Sequence, residues 1–200
     1  MLYWLTKNLT YILVRIIFRM RYEGLEHIPK GGRYVLCSNH RTVFDPVFMC
    51  HKIPLPIRSM AKQELFSSPF FGAFIRRLGA FPIARGTGDT STIDTAVEIL
   101  ESGGVLLIFP EGTRSKDNRP LRARSGVSLI SGRAGAGVLP CSIDYTGKLK
   151  FRTRITMRYH PLLTAEELNI NIDSSSSMRS GAKMVMKRIT EGLTPMPEDD

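Results

Sequence analysis

The sequence predicts an α/β fold: a single domain on a mixed, mostly parallel sheet flanked by helices, with an N-terminal amphipathic membrane-associated helix. Three observations lead there. Short apolar runs alternate along the chain with longer stretches of helical periodicity, the order from which parallel sheets with crossover helices are built. The 200 residues suffice for one compact core. The first twenty residues carry a one-sided helical pattern without the length of a membrane span.

That segment, MLYWLTKNLTYILVRIIFRM, places Leu2, Leu5, Leu9, Ile12, Leu13, Ile16 and Ile17 on one broad face at roughly 100° per residue. Lys7, Asn8, Arg15 and Arg19 fall on the other face, with Trp4 and Tyr11 near them. Basic groups opposite a wide apolar face fit a helix lying in the membrane interface. A terminal helix packed on the core is the alternative. Lys7 and Arg15 interrupt the run, whereas a spanning helix needs about 20 mainly apolar residues. No small-residue cleavage site follows, so a secretory signal is not expected. The expected organisation is an interface helix over 1–21, a globular domain over 22–193 and a flexible tail over 194–200.

Along the domain, YVLCS (34–38) reads as a buried strand and DPVFMCHK (45–52) as a helix start. RSMAK (58–62) reads as a short strand. SPFFGAFIRRL (68–78) is a helix with Ser68 as cap and Pro69 in its first turn. GAFPIA (79–84) is a strand whose Pro82 suits an edge or a strand end. DTSTIDTAVEILESG (89–103) is a helix capped by Asp89 or Thr90 and stopped at Gly103. GVLLIFP (104–110) is a buried strand, SGVSLISGRAG (125–135) a helix weakened by glycines, and GVLPCSID (137–144) another strand. FRTRITMRYH (151–160) alternates like a half-exposed strand. Asp173 or a nearby serine starts a last helix through MRSGAKMVMKRIT.

The net charge is +10 and is unevenly spread. Residues 1–21 hold four basic groups and no acid, and residues 112–160 hold eleven basic groups against Asp117 and Asp144. Such stretches imply an anionic partner: nucleic acid, phospholipid headgroups or a phosphorylated substrate. No zinc-finger spacing or aromatic RNA-binding block occurs and aromatics are only 8%, so no nucleic acid is expected as partner. Cys37, Cys50 and Cys141 form no C-x-x-C pair, and a disulfide framework or zinc site is not expected. The chemistry reads as cytosolic and metal-free.

Ligands in parallel sheets bind beyond the carboxyl ends of the strands. His40 follows YVLCS, Arg85 follows GAFPIA, and Glu111, Thr113 and Arg114 follow GVLLIFP. If these strands are parallel neighbours, the three sets meet at one rim. A histidine with a pKa of about 6.5 suits proton abstraction from an alcohol. It needs a partner on its other nitrogen, and Asp45, five positions on, can supply one if the loop folds back. Asp45 before Pro46 is equally a good helix N-cap, and a carboxylate has oxygens for both tasks. No G-x-S-x-G elbow is present, which favours direct attack by a bound alcohol over an acyl-enzyme.

The chain resembles the glycerolipid acyltransferase family, specifically its 1-acyl-glycerol-3-phosphate acyltransferases, over about residues 20–160. Four ordered blocks carry the resemblance. N-H-x-x-x-x-D matches at Asn39, His40 and Asp45. A glycine, an apolar strand and I-x-R match at Gly79, Ile83 and Arg85. F-P-E-G-T-R-S matches at every position of residues 109–115. The fourth, an apolar run ending V-P-V, is met only loosely by Leu139, Pro140 and Cys141. MAKQELF (60–66) also resembles a stretch common between the first two blocks.

The resemblance implies that residues 22–193 form an acyltransferase domain transferring a fatty acyl group to the sn-2 hydroxyl of lysophosphatidic acid, giving phosphatidate. His40 would be the general base and Asp45 its orienting carboxylate. Arg85, Glu111, Gly112 and Arg114 would form the glycerol-phosphate site, with Thr113 adding a hydroxyl donor and Lys62 a further cation. Guanidinium forks and free backbone N–H groups suit a phosphate, and Gly112 lets backbone approach closely. Glu111 would bind a glycerol hydroxyl or hold an arginine. The donor would be acyl-CoA or acyl-carrier protein, with no cofactor, since a thioester is already activated. The basic segment 148–158 would meet that donor or anionic lipid; a solvated strand face is the plainer reading. The expected location is the cytoplasmic face of the cell membrane. Two alternatives stand beside this: the same chemistry on another lysophospholipid or lyso-aminolipid, and a catalytically inactive membrane-surface binding protein.

Overall fold

The computed structural model describes residues 1–83, 91–115 and 119–195. Seven strands form one sheet: β1 (Arg19–Glu23), β2 (Tyr34–Ser38), β3 (Ile57–Lys62), β4 (Ala80–Ile83), β5 (Val105–Ile108), β6 (Gly137–Asp144) and β7 (Arg154–Tyr159). Their spatial order is β1-β7-β6-β2-β5-β3-β4. Every neighbouring pair is parallel except β6 and β7. The helices are α1 (Leu2–Ile17), α2 (Asp45–Cys50), α3 (Pro69–Arg77), α4 (Ser91–Glu101), α5 (Gly126–Ala134), α6 (Ala165–Leu168) and α7 (Ser175–Glu191).

The sheet is buried on both faces, which explains why β2 reads as continuous apolar sequence rather than alternation. Tyr34 and Leu36 of β2 join one core with Leu107, Leu139, Ile155 and Met157, covered by Phe48 and Met49 of α2 and Val14 of α1. Val35 and Cys37 point into a second core with Leu106 and Val138, covered by α4, α5 and α7 through Leu100, Ile130 and Val185. The predicted α/β class and the short strands are all present. All three cysteines are free and buried. β4 is an edge strand, as Pro82 requires. Gly103, at φ +82°, lies just beyond α4, and the hydroxyl of Ser174 caps α7 by accepting from Ser177 N–H.

Four expectations need correction. The expected boundary at residue 21 is displaced: α1 ends at Ile17, and Arg19–Glu23 form edge strand β1, paired with β7. Asp45 is the first residue of α2 and not its cap. Its carboxylate turns back to the preceding loop, and no side chain caps this helix. Ser68 holds the capping position of α3 without a side-chain hydrogen bond. Thr194, assigned to the tail, donates its hydroxyl to Asp144 Oδ2 at 2.7 Å. The expected caps Asp89 and Thr90 lie outside the described residues.

α1 docks through its polar side. Lys7, Thr10 and Val14 are its buried residues. Lys7 Nζ donates to Ile53 O at 2.6 Å, and Tyr3 Oη accepts the N–H of Ile57 at 3.1 Å. The aliphatic face faces outward: Leu5, Leu9, Ile12 and Ile16 are each more than half exposed. Among the described residues, no helix is long and apolar enough to cross a membrane.

Candidate active site

The site grows from the carboxyl ends of β2 and β5. These strands are parallel neighbours with Cys37 beside Ile108, so Asn39 and His40 leave the sheet next to Phe109, Pro110 and Glu111. β6 lies on the other side of β2, with Ser38 beside Cys141. The side chain of Asn39 closes that side. Its Oδ1 accepts the N–H of Ile143 at 2.8 Å and its Nδ2 donates to Ile143 O at 3.0 Å. Asn39 thus holds the exit of β2 against β6 and fixes where the next residue stands.

His40 Nδ1 is 2.9 Å from Asp45 Oδ2. The loop does fold back. Oδ2 also accepts the backbone N–H groups of Arg41 at 2.6 Å and Thr42 at 2.8 Å, and Oδ1 accepts the Thr42 hydroxyl at 2.7 Å. The Asp45 side chain is fully buried while that of His40 is 18% exposed. Four donors thus converge on one buried carboxylate. Nδ1 faces that acceptor as a donor, which leaves Nε2, with no hydrogen-bond partner among the described residues, as an acceptor. The imidazole stacks on Phe109, with centroids 3.9 Å apart and planes 15° off parallel, so its plane is set from below as well as from the side.

The FPEGTRS loop is tied to the same histidine at two points. Glu111 Oε1 accepts the His40 N–H at 3.0 Å, and the His40 carbonyl accepts the Ser115 N–H at 2.9 Å. Glu111 Oε2 accepts the Leu121 N–H at 3.2 Å. Glu111 is only 2% exposed. Burial pushes its carboxyl up to about 7, against the two N–H donors that favour the charged form. In the structure Glu111 braces the loops at 40 and 121.

Gly112 has φ +71° and lies against Arg124, where an added Cβ would meet Cδ and Nε at 2.9 Å. The left-handed conformation favours glycine there. Thr113 and Arg114 are exposed at the rim, as is Lys62 at the end of β3. Lys62 pairs with Ile83 across β3 and β4, two strands from His40, so it belongs to the flank of the rim. Arg85 lies outside the described residues.

Two arginines at the site were not anticipated. Arg124 sits over Gly112, and only its place in the basic segment could have pointed to it. Arg41 stacks on Tyr145 at 3.6 Å and donates to the carbonyls of Tyr145 and Gly147 at 2.5 and 3.2 Å. It lies inside the N-H-x-x-x-x-D block, at a position that pattern leaves open.

The family model described as Acyltransferase matches residues 19–144. A protein of Streptococcus pneumoniae named 1-acyl-sn-glycerol-3-phosphate acyltransferase is 30% identical over 179 residues, covering 85% of this chain and 66% of that protein. One of Bacillus subtilis with the same name is 31% identical over 118 residues, covering 58% of each. A chloroplastic one of Arabidopsis thaliana, LPAT1, is 27% identical over 135 residues, covering 66% of this chain and 38% of its own. The chain thus spans between about two fifths and two thirds of the length of these curated relatives. The crystal structure of the 1-acyl-sn-glycerophosphate acyltransferase PlsC of Thermotoga maritima shares the fold, with a TM-score of 0.75 over 95% of this chain and 77% of that one, at 23% identity.

Proposed function

The chain belongs to the acyltransferase family, and from that premise we propose that it transfers a fatty acyl group from a thioester to the sn-2 hydroxyl of 1-acyl-glycerol-3-phosphate, giving phosphatidate. The observation that carries this reading is the Asp45–His40 pair, braced by the FPEGTRS loop and leaving Nε2 free. The hydroxyl oxygen attacks the thioester carbonyl carbon while Nε2 takes its proton. The tetrahedral oxyanion collapses, the C–S bond breaks, and His40 returns the proton to the departing thiolate. Asp45 stabilises the transient imidazolium. Each turn consumes one alcohol and one thioester and yields one ester and one thiol, and the step draws on no metal or prosthetic group.

The phosphate of the acceptor meets Arg114 and Thr113 from the loop after β5, with Arg124 beside them. Arg85, in the block that follows β4, and Lys62 on the flank add positive charge. Glu111 and Gly112 serve this site by setting the path of the loop. The donor is acyl-CoA or acyl-carrier protein. The exposed aliphatic face of α1 rests on the anionic cytoplasmic face of the membrane, which supplies the acceptor.

The test is thioester consumption by the purified chain in detergent or vesicles, offering lysophosphatidic acid beside other lysolipids, with His40→Ala as control. Strong turnover with lysophosphatidic acid that His40→Ala abolishes is expected. Residual activity of the variant within a few-fold of wild type would overturn the general-base role. Turnover only with another acceptor would keep the chemistry and replace the substrate.

A further inference from the structure

β6 and β7 are joined by the loop YTGKLKFRT, residues 145–153. Leu149 packs on the core, and two residues on Phe151 stands 74% exposed between Lys150 and Arg152. Arg152 adopts φ +63°, which a non-glycine residue holds only when its surroundings impose it. Here they do: its N–H donates to Ile17 O at 2.6 Å and its guanidinium reaches Ile16 O at 3.5 Å. Arg19 N–H in turn donates to Thr153 O at 2.9 Å. The loop therefore closes the carboxyl end of α1, where Ile12, Leu13, Ile16 and Ile17 are 41–57% exposed, and it sets Phe151 beside that face.

We propose that this loop is a second lipid-contact element: Phe151 enters the headgroup region of an anionic phospholipid bilayer alongside the aliphatic face of α1, while Lys148, Lys150 and Arg152 meet lipid phosphates. The proposal rests on reading α1 as the membrane-facing helix. Neither residues 1–21 nor residues 145–160 contain an acid, so both segments bring only positive charge beside their exposed apolar side chains, the pattern of an interfacial element. An acidic acyl carrier would satisfy the cations but leave Phe151 and the adjoining isoleucines in water. A bilayer satisfies both.

The test uses the full chain and sedimentation with phosphatidylcholine vesicles, with and without phosphatidylglycerol. Phe151→Ser should weaken partition into the anionic vesicles roughly five- to tenfold, the loss of one inserted aromatic side chain. Lys148→Gln with Lys150→Gln should reduce the dependence on phosphatidylglycerol. Thioester turnover in detergent should be unchanged by either, which separates this proposal from the acyltransferase reading. Because Trp4 is the single tryptophan, Trp4→Phe combined with Phe151→Trp gives a direct probe, and its emission should shift to the blue on adding vesicles. Wild-type partition of Phe151→Ser, or an unshifted probe, overturns the proposal. An unchanged partition with a raised KM for acyl-carrier thioester would make the loop a carrier dock instead. A wild-type chain that ignores both vesicles overturns the membrane reading of α1 and this proposal together.

Discussion

Asp45 holds His40 through an oxygen that two further donors already grip: Oδ2 lies 2.9 Å from His40 Nδ1, 2.6 Å from Arg41 N and 2.8 Å from Thr42 N. The carboxylate is fixed by the same loop whose histidine it steers. Its position rests on two backbone N–H groups together with the Thr42 hydroxyl, so the imidazole is oriented before any substrate arrives.

Asp45→Asn should leave the fold and cost most of the turnover. An amide offers one acceptor oxygen where four donors converge, and it can pair with His40 in the tautomer that carries the proton on Nε2. A loss in kcat of roughly 10^3- to 10^4-fold is expected, as for a base held in the wrong tautomer. Stability should fall by about 1–3 kcal/mol from the unsatisfied donors. Steady-state kinetics with thermal melting checks both, and a kcat within tenfold of wild type would contradict the orienting role.

Glu111 gives the fold a pH dependence. Burial pushes its carboxyl up to about 7 in the folded chain, above its ordinary 4.5. The folded state therefore binds more protons between those values, and stability from this group is full below pH 4.5 and is lost as pH rises through 7. Glu111→Gln removes that loss. Relative to wild type, the variant should be less destabilised at pH 8 than at pH 5 in urea denaturation. A gap that stays constant or widens with pH would show that Glu111 is ionised throughout.

α1 should answer to substitution opposite to an ordinary surface helix. Lys7→Ala removes a buried ammonium bonded to Ile53 O and packed 4.6 Å from the Trp4 ring, leaving a buried carbonyl unpaired at a cost of about 1–3 kcal/mol. Leu9→Ser with Ile12→Ser should change the melting temperature little, because both side chains are 56% exposed, yet should weaken vesicle binding. If instead the double variant melts early and binds normally, the aliphatic face packs on protein.

The strands that flank the site were readable because buried parallel strands carry unbroken apolar runs, as in YVLCS and GVLLIFP. The His40–Asp45 pair was readable from its place after such a run together with the N-H-x-x-x-x-D resemblance. β1 was not: RMRYE alternates charge at a sheet edge and looks like the end of the preceding helix. The docking side of α1 was also hidden, since amphipathic spacing reports that two faces differ but not which one meets the domain. Glu111 read as a ligand from its place after GVLLIFP and from the FPEGTRS resemblance. Its burial depends on backbone donors of residues 40 and 121, which no local pattern connects. Arg124 escaped for the same reason: only the fold brings it over Gly112.

The pairing of β1 with β7 has a consequence for the order of events during synthesis. α1 is complete at Ile17, whereas the strand that anchors β1 begins only at Arg154. A nascent chain therefore exposes a finished amphipathic helix long before the sheet edge behind it can close. On the proposed reading of α1 as the membrane-facing helix, it is free to settle on a bilayer before that edge closes, and the domain then completes itself against a segment already in place.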